Sequence, residues 1–173
     1  MAGRKEIQIT LQVGELMYDV MNKAYLTGES RRAAGADYKL VSAMQASGDE
    51  DNLYQLRRSL IGAIGLVKSR LGEYIDEDSS MSDDLISDEV ENNGSVTLKF
   101  SLPNNFNTSA VKAIAEGIHS FIVDSVLSDW FAIVNPQEVK YYAEHSITSL
   151  ASAEQAIYKR ERPIRRVVEV EPR

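Results

Sequence analysis

The chain has 173 residues, of which 43% are hydrophobic and 26% are charged, and its formal net charge is −7. This length and composition are typical of one globular domain with a single core. Cysteine is absent from the sequence, which excludes disulfides, thiol nucleophiles and thiolate metal sites. The basic first residues precede no apolar segment, and no apolar run approaches the roughly 18 residues of a membrane span. We therefore expect a soluble protein that is not exported by the general route and does not contact a membrane.

The charge is distributed unevenly along the chain. Residues 73–91 contain nine carboxylates and no Lys or Arg, and without these nine the formal charge would be +2. Near the end of the chain, five of the eight residues 159–166 are Lys or Arg. The sequence predicts a near-neutral body with an acidic segment in the middle and a basic strip at the end. Two interpretations of the acidic segment stay open: a solvated loop, or a partner for the basic strip of a neighbouring copy.

The first elements follow from changes in hydrophobic period. Apolar residues alternate from Ile7 to Val13, which predicts a short strand. The spacing then becomes helical, and we predict a helix that Gly28 ends. Residues 28–37 are predicted to form a loop, and residues 38–45 a second, short helix.

The longest predicted helix lies in the first half of the chain. Ser47 or Asp49 caps it, and apolar residues recur every three or four positions as far as Ile75, which corresponds to roughly 40 Å of helix. Gly62 and Gly65 lie inside this pattern. Because glycine weakens a helix relative to alanine, two interpretations stay open. The favoured one is that another helix approaches closely at both positions, and the other is that they form a flexible point.

A strand is predicted beyond the acidic segment. Asn93-Gly94 indicates a tight turn, and apolar residues alternate over residues 96–102. Two partners for this strand stay open. One is the segment of residues 86–91, which would form a hairpin, and the other is the N-terminal strand. The hairpin is the favoured alternative.

Two helices are predicted after this strand. The first begins near residues 107–108 and reaches Trp130. The second has Asn135 as its N-cap, Glu138 three residues later as in a capping box, and Pro163 as its end. The predicted fold is therefore mainly α, a helical bundle of about four helices with a small β-hairpin or strand insertion at residues 76–102. Residues 1–162 form a single domain, and residues 163–173 form an extended C-terminal tail.

Patterns typical of catalytic or metal sites are incomplete in this sequence. Glu116 and His119 form one Glu-x-x-His unit, but a di-iron site requires a second unit, so we interpret His119 as a hydrogen-bonded boundary residue. Ser109 and Lys112 match Ser-x-x-Lys without the companion elements of serine acylases. The acidic segment lacks the spacing of a calcium-binding EF-hand loop. The sequence thus predicts no enzyme, no cofactor and no metal site.

The basic strip has three interpretations. Its cations could neutralise nucleic-acid phosphates, but recognition motifs and interleaved aromatic residues are missing, and the acidic segment would repel DNA. They could instead stabilise the negative end of the last helix. The favoured interpretation is docking to a protein, because Arg binds carboxylates in bidentate fashion and alternating valines can extend a sheet edge. The predicted partner-docking tail comprises Lys159, Arg160, Arg162, Pro163, Arg165, Arg166, Val168 and Val170.

The order of several segments resembles a known family. These are a short strand before "LMYDVMNKAYLTGESRR", a strand "VTLKFSLPNNF" ahead of a helix that reaches "SVLSDWF", a helix that opens "NPQEVKYYAE", and an ending "IYKRERPIRR". The layout is similar to that of head-completion or head–tail connector (adaptor) proteins of tailed bacteriophages and prophages. The resemblance covers most of the chain and depends on pattern and order rather than on one specific motif.

The resemblance implies a non-enzymatic virion protein, made in the cytoplasm of the host bacterium. Such connectors are helical bundles that assemble as a ring, usually twelvefold, against the portal protein and around the DNA channel. The implied partners are copies of the chain, the portal protein and tail or neck proteins, while DNA passes through without sequence-specific binding. The docking tail would reach the portal. The acidic segment would line the channel or contact a ring through Asp76, Glu77, Asp78, Asp83, Asp84, Asp88, Glu89 and Glu91.

Alternative functions remain open at this point. One is another neck ring or a tail-terminator ring, since these proteins share size and composition with connectors. Another is a cytosolic helical regulator, similar to an antitoxin, that uses its basic tail on a single partner. An enzyme ranks third, because the sequence offers no convergent set of catalytic groups.

Overall fold

The structure is a computed structural model that describes residues 3–46, 49–76 and 94–163. Its elements are listed here in chain order: β1 (Arg4–Gln12), α1 (Val13–Ala33), α2 (Tyr38–Met44), α3 (Glu50–Leu71), β2 (Ser95–Pro103), a 3-10 turn (Thr108–Ala110), α4 (Val111–Val134) and α5 (Pro136–Ile157). The predicted mainly α fold with a small β component is confirmed.

The two strands form an antiparallel ribbon. β1 pairs with β2 over nine residues, with Ile9 opposite Leu98 and Leu11 opposite Val96. Because side chains alternate across a strand, this register places the apolar residues of both strands on one buried face. The N-terminal strand, the less favoured of the two alternatives, is therefore the partner found for β2. The favoured hairpin partner, residues 86–91, lies outside the described residues.

Helix α3 is shorter than the sequence predicts. It ends at Leu71, whereas the apolar spacing predicted a helix as far as Ile75. Ile75 instead forms a β-bridge with Phe100 of β2. The backbone groups of residues 74 and 76 bond to β2 at 2.8 and 2.9 Å, so the strand edge replaces the hydrogen bonds of a further helical turn.

Gly28 does not end α1, so this prediction is wrong. The helix continues to Ala33, and Gly28 is buried within it. A Cβ atom at this position would lie 3.3 Å from the carbonyl oxygen of Val41 and 3.4 Å from the side chain of Gln45. The glycine thus lets α2 pack closely against α1, and the sequence pattern could not distinguish this role from helix termination.

The predicted close helix approach at Gly62 and Gly65 is also wrong. A Cβ atom at either position would meet no atom within 4 Å. The close approach occurs at Gly117 on α4 instead, where a Cβ atom would lie 2.9 Å from the Cβ of Ala153 and 2.9 Å from the carbonyl oxygen of Ser149. Gly117 therefore allows α4 and α5 to pack almost backbone to backbone.

Helix α4 is the centre of the core. It packs against α1, α2, α3, α5 and β1. Its buried apolar residues are Ile114, Ile118, Phe121, Ile122, Val123, Val126, Leu127, Trp130 and Phe131. Within the described part of the chain, the stretch Thr108–Val134 is long and apolar enough to cross a membrane, but 56% of the tested window is buried inside the fold, as is usual for a core helix.

The asparagine cap predicted at Asn135 is confirmed, and the structure shows a second asparagine cap at Asn107, where the sequence predicted only a helix start. Asn107 accepts a hydrogen bond from the Ser109 amide at 3.0 Å, ahead of α4. Asn135 accepts one from the Gln137 amide at 3.4 Å, at the start of α5. Both caps satisfy amides that have no partner inside the helix. Asn135 lies between α4 and α5, where the chain reverses its direction.

Candidate functional site

Helix α1 carries a row of polar residues on the side that faces α4 and α5. Asp19, Lys23, Thr27 and Arg31 are spaced four residues apart and therefore lie on one helix face. Each of the four makes a side-chain contact with α4 or α5. We call these four residues and their partners the polar seam.

The first two contacts of the polar seam reach α4. Asp19 Oδ2 lies 2.8 Å from His119 Nε2, so the interpretation of His119 as a hydrogen-bonded boundary residue is confirmed. Lys23 Nζ donates to Asp124 Oδ1 at 2.9 Å. The two pairs differ in burial, because the Asp19 side chain is 44% exposed and that of Asp124 only 1%.

The other two contacts reach α5. Thr27 Oγ1 lies 2.8 Å from the carbonyl oxygen of Lys23 and shares a hydrogen bond of 2.6 Å with the hydroxyl of Tyr142. Burial raises the pKa of Tyr142 above its ordinary value, and the Thr27 hydroxyl opposes this shift. Arg31 Nε donates to Glu138 Oε1, and this hydrogen bond raises the pKa of Arg31. Glu138, predicted as part of a capping box, is thus a buried partner of α1.

Asp124 lies at the centre of the polar seam. It stands among apolar residues of α4, and its second carboxylate oxygen contacts His145 Nδ1 of α5 at 2.6 Å. One buried carboxylate therefore joins α1, α4 and α5 through Lys23 and His145. A carboxylate in this environment is tolerated only when both oxygens have charged or polar partners.

A groove lies over the polar seam between α1 and α5. Its volume is about 530 Å³, within the usual range for small-molecule sites. Lys23, Arg31 and His145 contribute its basic side chains, each between 40% and 51% exposed. Leu26 and Tyr141 add a largely exposed apolar wall.

The incomplete catalytic and metal patterns of the sequence stay incomplete in the fold. Ser109 Oγ bonds to Asn107 at 2.7 Å, while Lys112 lies 3.5 Å from Glu116, so the members of Ser-x-x-Lys are engaged with other residues. Glu116 is exposed on the surface and faces Lys112 rather than His119. Over residues 3–46, 49–76 and 94–163, no group of three or more His, Asp or Glu side chains is placed to hold a metal ion.

Helix α5 ends earlier than the sequence predicts. Helix α5 ends at Ile157, six residues before Pro163, so the prediction that Pro163 ends it is wrong. Arg160 Nη1 donates to the Ile157 carbonyl oxygen at 2.7 Å. A cation on the last carbonyls stabilises a helix end, which is the second interpretation of the basic strip.

The residues after α5 return to the body of the protein. The Lys159 carbonyl oxygen accepts from the Asn107 amide at 3.1 Å, and the Glu161 amide donates to the Asn105 carbonyl oxygen at 2.8 Å. Lys5 of β1 contacts Glu161 at 2.5 Å.

Only part of the predicted docking tail lies within the described residues. Lys159, Arg162 and Pro163 are exposed, while Arg160 is partly buried. The other members lie outside the described residues: Arg165, Arg166, Val168 and Val170.

Most of the predicted acidic set also lies outside the described residues. Asp76 is exposed, and its amide donates to the Lys99 carbonyl oxygen at 2.9 Å. The members outside the description are Glu77, Asp78, Asp83, Asp84, Asp88, Glu89 and Glu91. Among residues 3–46, 49–76 and 94–163, the lining of the groove includes no member of the acidic set or of the docking tail.

Sequence reasoning missed the centre of the groove, although one signal was available. Asp124 interrupts the apolar run "FIVDSVL" in the most hydrophobic helix. A carboxylate inside a buried helix face requires partners on the neighbouring helices, and His145 and Lys23 are candidates for this role. Their distance along the chain, 21 and 101 residues from Asp124, hides the cluster from any local motif search.

Comparison of the chain with protein-family models, with curated proteins and with solved structures finds no match.

Proposed function

We propose that this chain is a non-enzymatic structural subunit of a tailed bacteriophage, which assembles as a connector ring at the head–tail junction. The segment order noted above and the mainly α fold support this proposal. The observation that carries it is the fixed starting point of the C-terminal tail. The proposed partners are copies of the chain, the portal protein and tail or neck proteins.

The starting point is fixed because the chain after α5 is tied to the body. Residues 159 and 161 bond to residues 107 and 105, and Lys5 contacts Glu161. Arg162 and Pro163 follow immediately and are exposed. The sequence that follows, residues 164–173, is basic and contains valines, a composition suited to carboxylate binding and to strand addition on a neighbouring chain.

A closed ring requires two different surfaces on each copy, because its interface is heterologous. Large hydrophobic side chains are exposed on several helices of this protein. Tyr18 and Tyr25 lie on α1, Leu66 on α3 and Ile147 on α5, each about half exposed or more. These residues are candidates for the two surfaces.

The decisive experiment is quantitative mass spectrometry of purified particles from the source, with this chain counted against the major capsid protein. We expect a copy number equal to one portal ring or a small multiple of it. Absence from the particles would overturn the proposal. A small, defined complex with a single cytosolic partner would then favour the regulator.

A truncation tests the docking role of the tail separately. Removing residues 164–173 retains Arg160, Glu161 and their contacts with the body, so the free energy of unfolding should not change. Incorporation into particles should be lost. The control is Arg32→Gln in the full chain, which removes a cation that pairs with Glu29 on α1, outside the docking tail, and should leave incorporation unchanged. Normal incorporation of the truncated chain would contradict a docking role for the tail.

The proposed channel lining has its own test. Replacing the nine carboxylates of residues 73–91 with Ser or Asn would remove the negative charge that we propose repels DNA phosphates from the channel. Assembly, DNA retention and infection should then be impaired. If all three remain unchanged, the acidic segment does not line the channel.

A further inference from the structure

We propose that the groove between α1 and α5 is a binding site for a small aryl or alkyl anion. Arg31 and Lys23 hold the anionic group, and Tyr141, Leu26 and the His145 ring contact the body of the ligand. This inference is independent of ring assembly, because it depends only on the geometry within one copy of the chain.

The basic groups have donors beyond those that the polar seam engages. A guanidinium has five N–H donors, and the Glu138 contact engages only Nε of Arg31. An ammonium has three, and the Asp124 contact engages one of those of Lys23. The neutral imidazole of His145 donates to Asp124 through Nδ1, so its Nε2 is an acceptor and the ring contributes to the groove as a surface rather than as a donor.

The carboxylates that hold these groups are buried, whereas the groups themselves are half exposed. The side chain of Asp124 is 1% exposed and that of Glu138 8%, compared with 46% for Arg31. A ligand entering the groove therefore meets the donors before the carboxylates. The buried pairs also fix the positions of the donors, which reduces the ordering cost of binding an anion.

The wall of the groove selects an apolar body next to the anionic group. Tyr141 is 63% exposed and stacks on His145, with 17° between the ring planes and 6.1 Å between centroids. Leu26 is 55% exposed on the α1 side. An aromatic ring could pack against this wall while its phosphate or carboxylate reaches the basic side chains. The volume of about 530 Å³ accommodates a ligand of this size.

The test uses the full chain and two-dimensional NMR, with phenyl phosphate as the probe. We expect saturable shifts of amides in α1 and α5 around the groove and of the His145 ring. Inorganic phosphate should bind about tenfold more weakly, because it lacks the body that the wall contacts. Benzoate is the third probe, and its affinity relative to phenyl phosphate shows whether the site prefers a carboxylate or a phosphate.

Variants connect the shifts to the named residues. The double substitution Arg31→Gln with Glu138→Gln removes the cation without leaving a buried charge, and it should weaken phenyl phosphate binding about tenfold. Tyr141→Ala should weaken it about threefold through the wall alone. The matched control is Arg32→Gln, which removes the neighbouring cation that pairs with Glu29 outside the groove and should leave the affinity unchanged.

Three results would overturn the proposal. The first is the absence of saturable shifts at about 10 mM phenyl phosphate, a concentration above the Kd expected for a specific site. The second is equal affinity for phosphate and phenyl phosphate, since the wall would then contribute nothing. The third is equal loss of affinity in Arg32→Gln and in the double variant, which would indicate non-specific attraction by surface charge.

Discussion

Helix α4 packs against α5 and against α1 in two different ways. Around Gly117 the contact with α5 is apolar and close, because the glycine lets the backbone of α4 approach Ala153 and Ser149. Towards α1 a row of polar side chains spans the gap, with Lys23 bound to Asp124 as the most buried pair. One helix thus presents a close apolar surface and a hydrogen-bonded one.

The difference shows that, within one small core, one helix contact can supply most of the stability while another positions the side chains beneath a groove. Buried apolar area contributes about 25 cal/mol per Å², so the close α4–α5 contact is expected to dominate the free energy of folding. A hydrogen bond contributes only about 0.5–1.5 kcal/mol net, but it fixes the direction of its donor and acceptor. The polar seam therefore does less for stability and more for the arrangement of the groups beneath the groove.

The largest effect is expected where the apolar contact is closest. Gly117→Ala places a Cβ atom 2.9 Å from the Ser149 backbone oxygen, which cannot move aside as a flexible side chain could. Separating α4 from α5 should lower the free energy of unfolding by about 2–3 kcal/mol in urea denaturation. Gly62→Ala is the matched control, because its Cβ atom meets nothing and should stabilise α3 by up to about 1 kcal/mol. Equal effects of the two substitutions would contradict the close approach.

The next effect is expected at the buried part of the polar seam. Lys23→Met leaves the Asp124 carboxylate buried with His145 as its remaining contact from the seam, and we expect a loss of about 2 kcal/mol. Adding Asp124→Asn should recover part of this loss, because no unpaired charge then stays buried. A double-mutant cycle measured by urea denaturation gives the coupling free energy. Simple additivity would show that the two side chains do not interact.

The more exposed end of the polar seam should contribute less. Asp19→Asn removes the carboxylate next to His119, but both side chains of this pair are partly exposed and water can replace the contact. We expect a loss of no more than about 1 kcal/mol, and less at high salt. A loss as large as that of Lys23→Met would mean that the burial of a contact in the polar seam does not determine how much it contributes to the free energy of unfolding.

The smallest effect at neutral pH concerns Tyr142. Its pKa is raised above the unfolded value of 10.0 mainly by burial, so the folded state holds the phenolic proton more tightly. The resulting stabilisation is complete below pH 10.0 and is lost as the pH rises above it. Tyr142→Phe should therefore cost less than about 1 kcal/mol at pH 7 and should make the alkaline loss of stability less steep. Tyr141→Phe, at an exposed position, is the control, and identical alkaline profiles would refute the assignment.

The predicted and observed elements differ in ways that have physical causes. The cap at Asn135 was predicted, because a short polar side chain before an apolar period acts on local amides. The ends of α1 and α3 were not. Gly28 is explained by the later helix α2, and Ile75 leaves its helix to join β2, so both outcomes depend on elements distant in sequence.

The sequence by itself determined the mainly α class, the alternation that defines β1 and β2, the Asn135 cap and the distribution of charge. All of these depend on residues that are neighbours along the chain, where periodicity and capping act directly. Only the tertiary structure decided which glycine permits close packing, which strand β2 joins, and that Asp124 meets Lys23 and His145. Those outcomes depend on contacts between helices that are far apart in sequence, and no local pattern encodes such contacts.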